Sequence, residues 1–82
     1  MTKEEIIEVI KTNIVDNLDD LEITDIDPQK TMKDYGANSL DIIEVVSSSM
    51  RELQIKIPRS ELADIKNIDE LANKFHAHAG SK

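Results

Sequence analysis

Ser39 is the residue of this chain whose type and position most favour a chemical role. It follows the turn residues Gly36, Ala37 and Asn38, and it begins a stretch with helical periodicity. A serine in such a place can cap a helix, which needs only its hydroxyl oxygen. It can act as a nucleophile, which needs a histidine held by an acid. It can also receive a phosphate-linked group, which the free N–H groups of a helix start favour.

The nucleophile interpretation fails on the histidines. His76 and His78 are the only two, and both lie near the C-terminal end of the chain. The sequence of residues 36–40, Gly-Ala-Asn-Ser-Leu, is not the strand–turn–helix elbow that serine hydrolases use. We therefore predict no catalytic residues and no enzymatic activity, which leaves the cap and the attachment site open.

Metal sites are not predicted either. Residues 16–27 are acidic, but Leu18 and Leu21 occupy the third and sixth positions, where a calcium loop needs an oxygen ligand and a glycine. His76 and His78 are two residues apart on a helix and point to nearly opposite sides, so we expect surface histidines there. The absence of cysteine removes thiolate zinc sites and disulfides.

The elements that must position Ser39 are helical throughout. We predict an all-α fold, a single domain over residues 1–82. It is a small bundle of three longer helices and one short helix, with a long loop between the first two. Thr2 and Glu5 form a capping box that opens the first helix near Lys3, and this helix ends at residues 17–20. Residues 19–38 form the loop, which includes a single helical turn at residues 31–34 and is held to the core by apolar side chains: Ile23, Ile26, Met32 and Tyr35.

The second helix is predicted over residues 39–53. A short helix follows Pro58 over residues 59–63 with Leu62 inward, and the last helix starts after Asn67 and stops at Gly80. On the second helix the core face consists of five residues: Ile42, Val45, Val46, Ser49 and Leu53. Leu40 and Ile43 lie at or near solvent beside Ser39, which indicates a contact patch.

Charge and length limit the function further. The 82 residues include 17 acids against 10 basic residues, a net charge of −7. An acidic surface argues against nucleic-acid binding and is compatible with basic protein partners. The apolar runs are too short to span a membrane, and the first residues are not a signal peptide. We expect a cytoplasmic monomer without membrane attachment.

Residues 35–41, Tyr-Gly-Ala-Asn-Ser-Leu-Asp, together with Glu44, resemble the prosthetic-group signature of acyl carrier proteins, Asp-Ser-Leu after a glycine. The similarity covers nearly the whole chain. It implies that a phosphopantetheinyl transferase esterifies Ser39 with 4′-phosphopantetheine from coenzyme A. The thiol of this arm then holds an acyl group as a thioester. A partner-docking face is implied around the second helix: Asn38, Leu40, Asp41, Ile43, Glu44, Ser47 and Arg51.

Two departures from the family pattern indicate a pathway other than fatty acid synthesis. Asn38 stands where the family usually has Asp, and residues 47–49 with Arg51 make the second helix less acidic. Residues 57–63 and 66–72, with Phe75, are similar to discrete carriers of polyketide synthases. In particular, they resemble donor carriers that bring an acetyl unit to a hydroxymethylglutaryl (HMG)-synthase-like enzyme for β-branching.

The resemblance implies an acetyl or malonyl-type cargo. The implied partners are an acyltransferase, a ketosynthase or decarboxylase, and an HMG-synthase-like enzyme. Carriers of fatty acid, D-alanyl or peptidyl groups remain alternatives. So does an unmodified helical interaction module, in which Ser39 is only a cap.

Overall fold

The chain forms four α-helices and two 3₁₀ helices in the computed structural model, which describes residues 2–18, 21–62 and 65–79. The α-helices are α1 (Lys3–Asn17), α2 (Ser39–Leu53), α3 (Arg59–Leu62) and α4 (Ile68–Ala79). The all-α prediction is confirmed, as are the predicted bounds of the first two helices. The predicted end of the short helix at residue 63 and the predicted stop at Gly80 lie outside the described residues.

The first helix begins at the predicted capping box. The Thr2 hydroxyl accepts from the Glu5 backbone N–H at 3.2 Å, and Glu5 Oε1 accepts from the Thr2 backbone N–H at 3.0 Å. That backbone bond, with a smaller contribution from the hydroxyl, lowers the pKa of Glu5. At pH values above the ordinary pKa of glutamate, the ionised Glu5 therefore stabilises the helix through the capping box. This contribution is lost as the pH falls through the lowered pKa.

The core lies where α1 packs against α2 and α4. Its largest fully buried side chain is Phe75. Three isoleucines of α1 at helical spacing also lie in this core with no exposed area. Burial of such aliphatic and aromatic side chains is the main favourable contribution to folding. The helices supply these buried apolar residues: Ile6, Ile10, Ile14, Val45, Val46, Leu53, Ile68, Leu71, Ala72 and Phe75.

A buried polar pair joins α1 to α2. Ser49 lies on the predicted core face of α2 and has no exposed area. Its Oγ accepts a hydrogen bond of 3.2 Å from Asn13 Nδ2, which also donates to the Val9 carbonyl at 2.9 Å. Because an unpaired hydroxyl in this place would cost free energy, the pair favours one register of α1 against α2.

The long loop packs on the core through part of the predicted set. Ile26 and Met32 are buried, and Tyr35 is half-buried against the core. The prediction for Ile23 is wrong, since this side chain is 37% exposed. Ile23 begins a 3₁₀ helix, Ile23–Asp25, that was not predicted and that turns it outward. The predicted turn at residues 31–34 is a second 3₁₀ helix, Met32–Tyr35, capped by Thr31.

Hydrogen bonds join this loop to the start of α4. The Ile68 N–H donates to the Lys30 carbonyl at 3.1 Å, and the Asp69 N–H donates to the Pro28 carbonyl at 2.8 Å. Both N–H groups belong to the first turn of α4, where the helix itself has no carbonyl group that could accept their hydrogen bonds. The loop therefore has a fixed path, and it ends at Gly36, whose φ of 88° suits glycine.

Helix α3 contacts α4 through the side chain of Glu61. Glu61 Oε2 lies 3.0 Å from His78 Nε2, and Glu61 Oε1 lies 3.6 Å from Lys74 Nζ. His76 is exposed as predicted, and His78 is 27% exposed, with a contact to Glu61 that the sequence did not predict. The sequence pattern of α4 alone did not show that α3 packs beside its last turn.

Candidate functional site

Ser39 is the first residue of α2, and its side chain is exposed. The turn ending at Gly36 and the buried Ala37 bring the chain to this point. The Ile42 N–H donates to the Asn38 carbonyl at 3.0 Å, which closes the first turn of the helix around Ser39. The hydroxyl thus stands at the surface on a backbone fixed on both sides.

The cap of α2 is Asn38 and not Ser39. Asn38 Oδ1 accepts from the Asp41 N–H at 2.9 Å, and Asp41 Oδ2 accepts from the Asn38 N–H at 3.1 Å. This reciprocal pair is a capping box. The idea that Ser39 serves only as a cap is therefore wrong, because its neighbour satisfies the helix end and leaves the Ser39 hydroxyl without that task.

Replacing the cap is expected to cost stability. Asn38→Ala removes the acceptor for the Asp41 N–H, and the free energy of unfolding should fall by about 0.5–2 kcal/mol. Asn38→Asp keeps the acceptor and adds a negative charge at the positive end of the helix, so its stability should equal or exceed that of the native chain. Urea unfolding followed by circular dichroism measures both, and equal stability for Asn38→Ala would contradict the assignment of the cap.

The start of α2 suits a phosphate ester on Ser39. The backbone N–H groups of Ser39 and Leu40 lie in the first turn, where no helical partner is available. The positive end of the helix dipole favours an anion at the same place. Asn38 is uncharged, so it does not repel the phosphate as an acid in its position would. Access, donors and favourable electrostatics therefore coincide at this hydroxyl.

A cleft of about 740 Å³ opens beside Ser39. One wall is the side of α2 from Ser39 to Met50, and the opposite wall comes from α3 and the start of α4. Its lining is mainly aliphatic, with Lys33 and Lys66 among the polar side chains. The residues opposite α2 were not predicted as part of the site, because they come from three separate segments: Thr31, Met32, Lys33, Ile57, Leu62, Ile65, Lys66, Asn67, Ile68 and Leu71.

The outer face of α2 presents an apolar patch beside Ser39, as predicted. Leu40 is 72% exposed and Ile43 is 49% exposed. Glu44 is exposed in the next turn, and Arg51 is exposed two turns further along. Leu40, Ile43 and Glu44 are thus accessible next to the hydroxyl, and Arg51 lies about 18 Å from Ser39 along the helix.

Two of the remaining residues predicted for docking are less available. Asp41 is half-buried, and one of its carboxylate oxygens is held in the capping box with Asn38. Ser47 is half-buried and lines the cleft beside Ile43. Asn38 is exposed, so its amide is accessible from solvent even though its oxygen is engaged.

Metal sites and membrane-spanning helices are both absent from the described residues. No group of three or more His, Cys, Asp or Glu side chains in this part of the chain is arranged to hold a metal ion. Within the same residues, no helix combines the length and the apolar content needed to cross a bilayer.

Comparison with known families concerns the same segment. Residues 8–75 match the family model described as the phosphopantetheine attachment site, which covers most of the chain, including Ser39 and α2. The chain belongs to this family of carrier proteins. Members hold a covalently attached 4′-phosphopantetheine, and the accessible hydroxyl, the helix start and the adjoining aliphatic cleft of this carrier fit such an arm.

Individual relatives are also carriers. This carrier is 40% identical to the polyketide biosynthesis acyl-carrier-protein AcpK of Bacillus subtilis, over 93% of each chain. It is 30% identical to an acyl carrier protein of Clostridium acetobutylicum, over 89% of this chain and 95% of the relative. Among solved structures, the acetyl donor carrier in complex with the HMG synthase of the curacin pathway is similar with a TM-score of 0.78. That comparison has 35% identity and covers 94% of this chain and 99% of the other.

Proposed function

We propose that this protein is a donor carrier of polyketide biosynthesis, with its arm on Ser39. A phosphopantetheinyl transferase esterifies the Ser39 hydroxyl, and the arm supplies a terminal thiol that holds an acyl group as a thioester. The chain itself catalyses no step; it binds the arm, presents the cargo and docks. Since the arm comes from coenzyme A, we place this work in the cytoplasm, and we propose that the carrier acts as a monomer.

The observation that supports Ser39 most directly is that the capping residue and the exposed serine at the start of α2 are different residues. Asn38 caps the helix, so the exposed Ser39 hydroxyl has no structural bond to give up when it is esterified. The three other serines of α2 are less exposed: Ser49 is buried and hydrogen-bonded to Asn13, Ser47 is half-buried in the cleft wall, and Ser48 is half-buried. Ser39 is thus the serine of this helix best placed for a transferase.

The pathway is supported by two relatives of different kinds. One is named for polyketide biosynthesis and matches at 40% identity, and the other was solved as an acetyl donor bound to an HMG synthase. The outer face of α2 agrees with a pathway other than fatty acid synthesis. The exposed Arg51 makes this face less acidic, and it therefore attracts a basic partner surface less than a uniformly acidic helix would. We therefore propose acetyl as the cargo and an HMG-synthase-like enzyme as the acceptor.

An acetyl-transfer assay tests this function. The protein is converted to its phosphopantetheine form, loaded with acetyl, and mixed with the HMG synthase of the curacin pathway. We expect the thioester to lose its acetyl group to the synthase and the arm to return as a free thiol within minutes. Intact-protein mass spectrometry measures the loss.

Two comparisons make the assay decisive. Hydrolysis is measured in the same mixture without synthase, and it should be slower. A ketosynthase of fatty acid synthesis is tested in parallel with malonyl-loaded protein. Decarboxylative condensation of the carrier-bound malonyl group with an acyl group held on the ketosynthase, which releases CO₂ and leaves a β-ketoacyl group on the carrier, together with no acetyl transfer to the HMG synthase, would assign the carrier to fatty acid synthesis and overturn the proposal.

A further inference from the structure

Glu44 and Arg51 lie on one line along the exposed side of α2, which we call the stripe, and their charges are opposite. Glu44 and Arg51 are seven residues apart, so they lie within about 20° of each other around the helix and about 10 Å apart along it. Both side chains are exposed, and neither forms an ion pair with another described residue. Along this line the charge is therefore acidic nearer Ser39 and basic at the far end, while the exposed Glu52 lies about 100° around the helix from Arg51.

A second cation and an apolar depression adjoin the basic end. Lys56 follows α2 in an extended segment, where it is exposed between the buried Ile55 and Ile57. An open depression is lined by Met50, Arg51, Lys56 and Ile57, and its surface is mainly apolar. The Ile57 N–H donates to Met50 Sδ at 3.4 Å, which fixes the two apolar walls relative to each other.

The charges here contrast with those of the whole chain. The chain has a net charge of −7, yet Arg51 and Lys56 have no acidic partner among the described residues. Lys3, Lys11 and Lys74, by comparison, each lie within 4 Å of a carboxylate. Of the other lysines without an ion pair among the described residues, Lys33 and Lys66 border the cleft beside Ser39 and Lys30 lies on the loop, whereas Arg51 and Lys56 border the depression together. Two unpaired cations around an apolar depression match a partner surface that combines carboxylates with an apolar side chain.

We propose that Arg51, Lys56 and the depression between Met50 and Ile57 form a second docking point, which receives an acidic segment of the HMG-synthase-type acceptor. This inference rests on the proposed function and adds the chemistry of the partner surface. Glu44 meets a basic group of the enzyme nearer to the active-site entrance, and the second docking point meets an acidic group about 10 Å further away. Because the two contacts have opposite signs, a carrier that docks with the direction of α2 reversed places like charges opposite each other and binds more weakly.

Charge reversal tests the docking point. The dissociation constant is measured for the phosphopantetheine form of the protein and the HMG synthase of the curacin pathway. Arg51→Glu should weaken binding by about tenfold at low salt, and less at high salt, because screening shortens the reach of exposed charges. Lys30→Glu is the matched control, since it changes the net charge equally on an exposed loop residue outside both clefts. Its effect should stay within about twofold.

The double variant Glu44→Lys with Arg51→Glu separates polarity from net charge. It keeps the net charge of the native chain and inverts the stripe, so we expect it to bind more weakly than either single variant. Native-like binding of the double variant, or equal effects of Arg51→Glu and Lys30→Glu, would overturn the second docking point and leave the proposed function standing. Failure of the native protein to bind the synthase would overturn both.

Discussion

Ser39→Ala is expected to abolish the addition of phosphopantetheine completely. The native protein, incubated with coenzyme A and a permissive phosphopantetheinyl transferase, should gain the mass of one arm. The variant lacks the hydroxyl that becomes esterified, so its mass should not change. Intact-protein mass spectrometry distinguishes the two, and addition to the variant would show that another residue is the site.

The same variant should fold normally, which makes the result interpretable. Asn38 provides the cap, and alanine is the best helix former inside a helix, so Ser39→Ala should alter the free energy of unfolding by no more than a few tenths of a kcal/mol. Its far-ultraviolet circular dichroism should match that of the native protein. Ser60→Ala is a suitable control, because Ser60 is also an exposed serine in a helix and its loss should leave the addition complete.

Phe75→Ala is expected to have the largest effect on stability. Phe75 is the largest fully buried side chain of the core and has no exposed area. Its truncation should lower the free energy of unfolding by about 3–5 kcal/mol, since both burial and packing contacts are lost. Domains of this kind have only about 5–15 kcal/mol in total, so a large part of the stability should disappear.

Urea unfolding measures this loss as a lower midpoint with an unchanged slope. His76→Ala is the matched comparison, because His76 is the next residue of the same helix and is exposed. Its effect should remain within about 0.5 kcal/mol. A loss below about 1 kcal/mol for Phe75→Ala would be too small for a cavity at the centre of the core.

The sequence determined the parts of this protein that depend on neighbouring residues. The Thr2–Glu5 capping box, the spacing of the isoleucines in α1 and the turn at Gly36 are local, and the structure has the helix starts where they were predicted. The faces of α2 also followed from helical periodicity, which put Ser49 inside and Leu40 outside. The family signature around Ser39 is equally local, since it depends on consecutive residues.

The tertiary structure decided what depends on residues far apart in the chain. His78 contacts Glu61, which belongs to another helix, and Ile23 is exposed at the start of a 3₁₀ helix while Ile26 and Met32 are buried. The cap of α2 was considered only at Ser39 from the sequence; the structure places it at Asn38, whose backbone is extended with ψ near 180° while Ser39 is already helical. The cleft beside Ser39 is a gap between α2 and three other segments, and periodicity within one helix contains no information about such a gap.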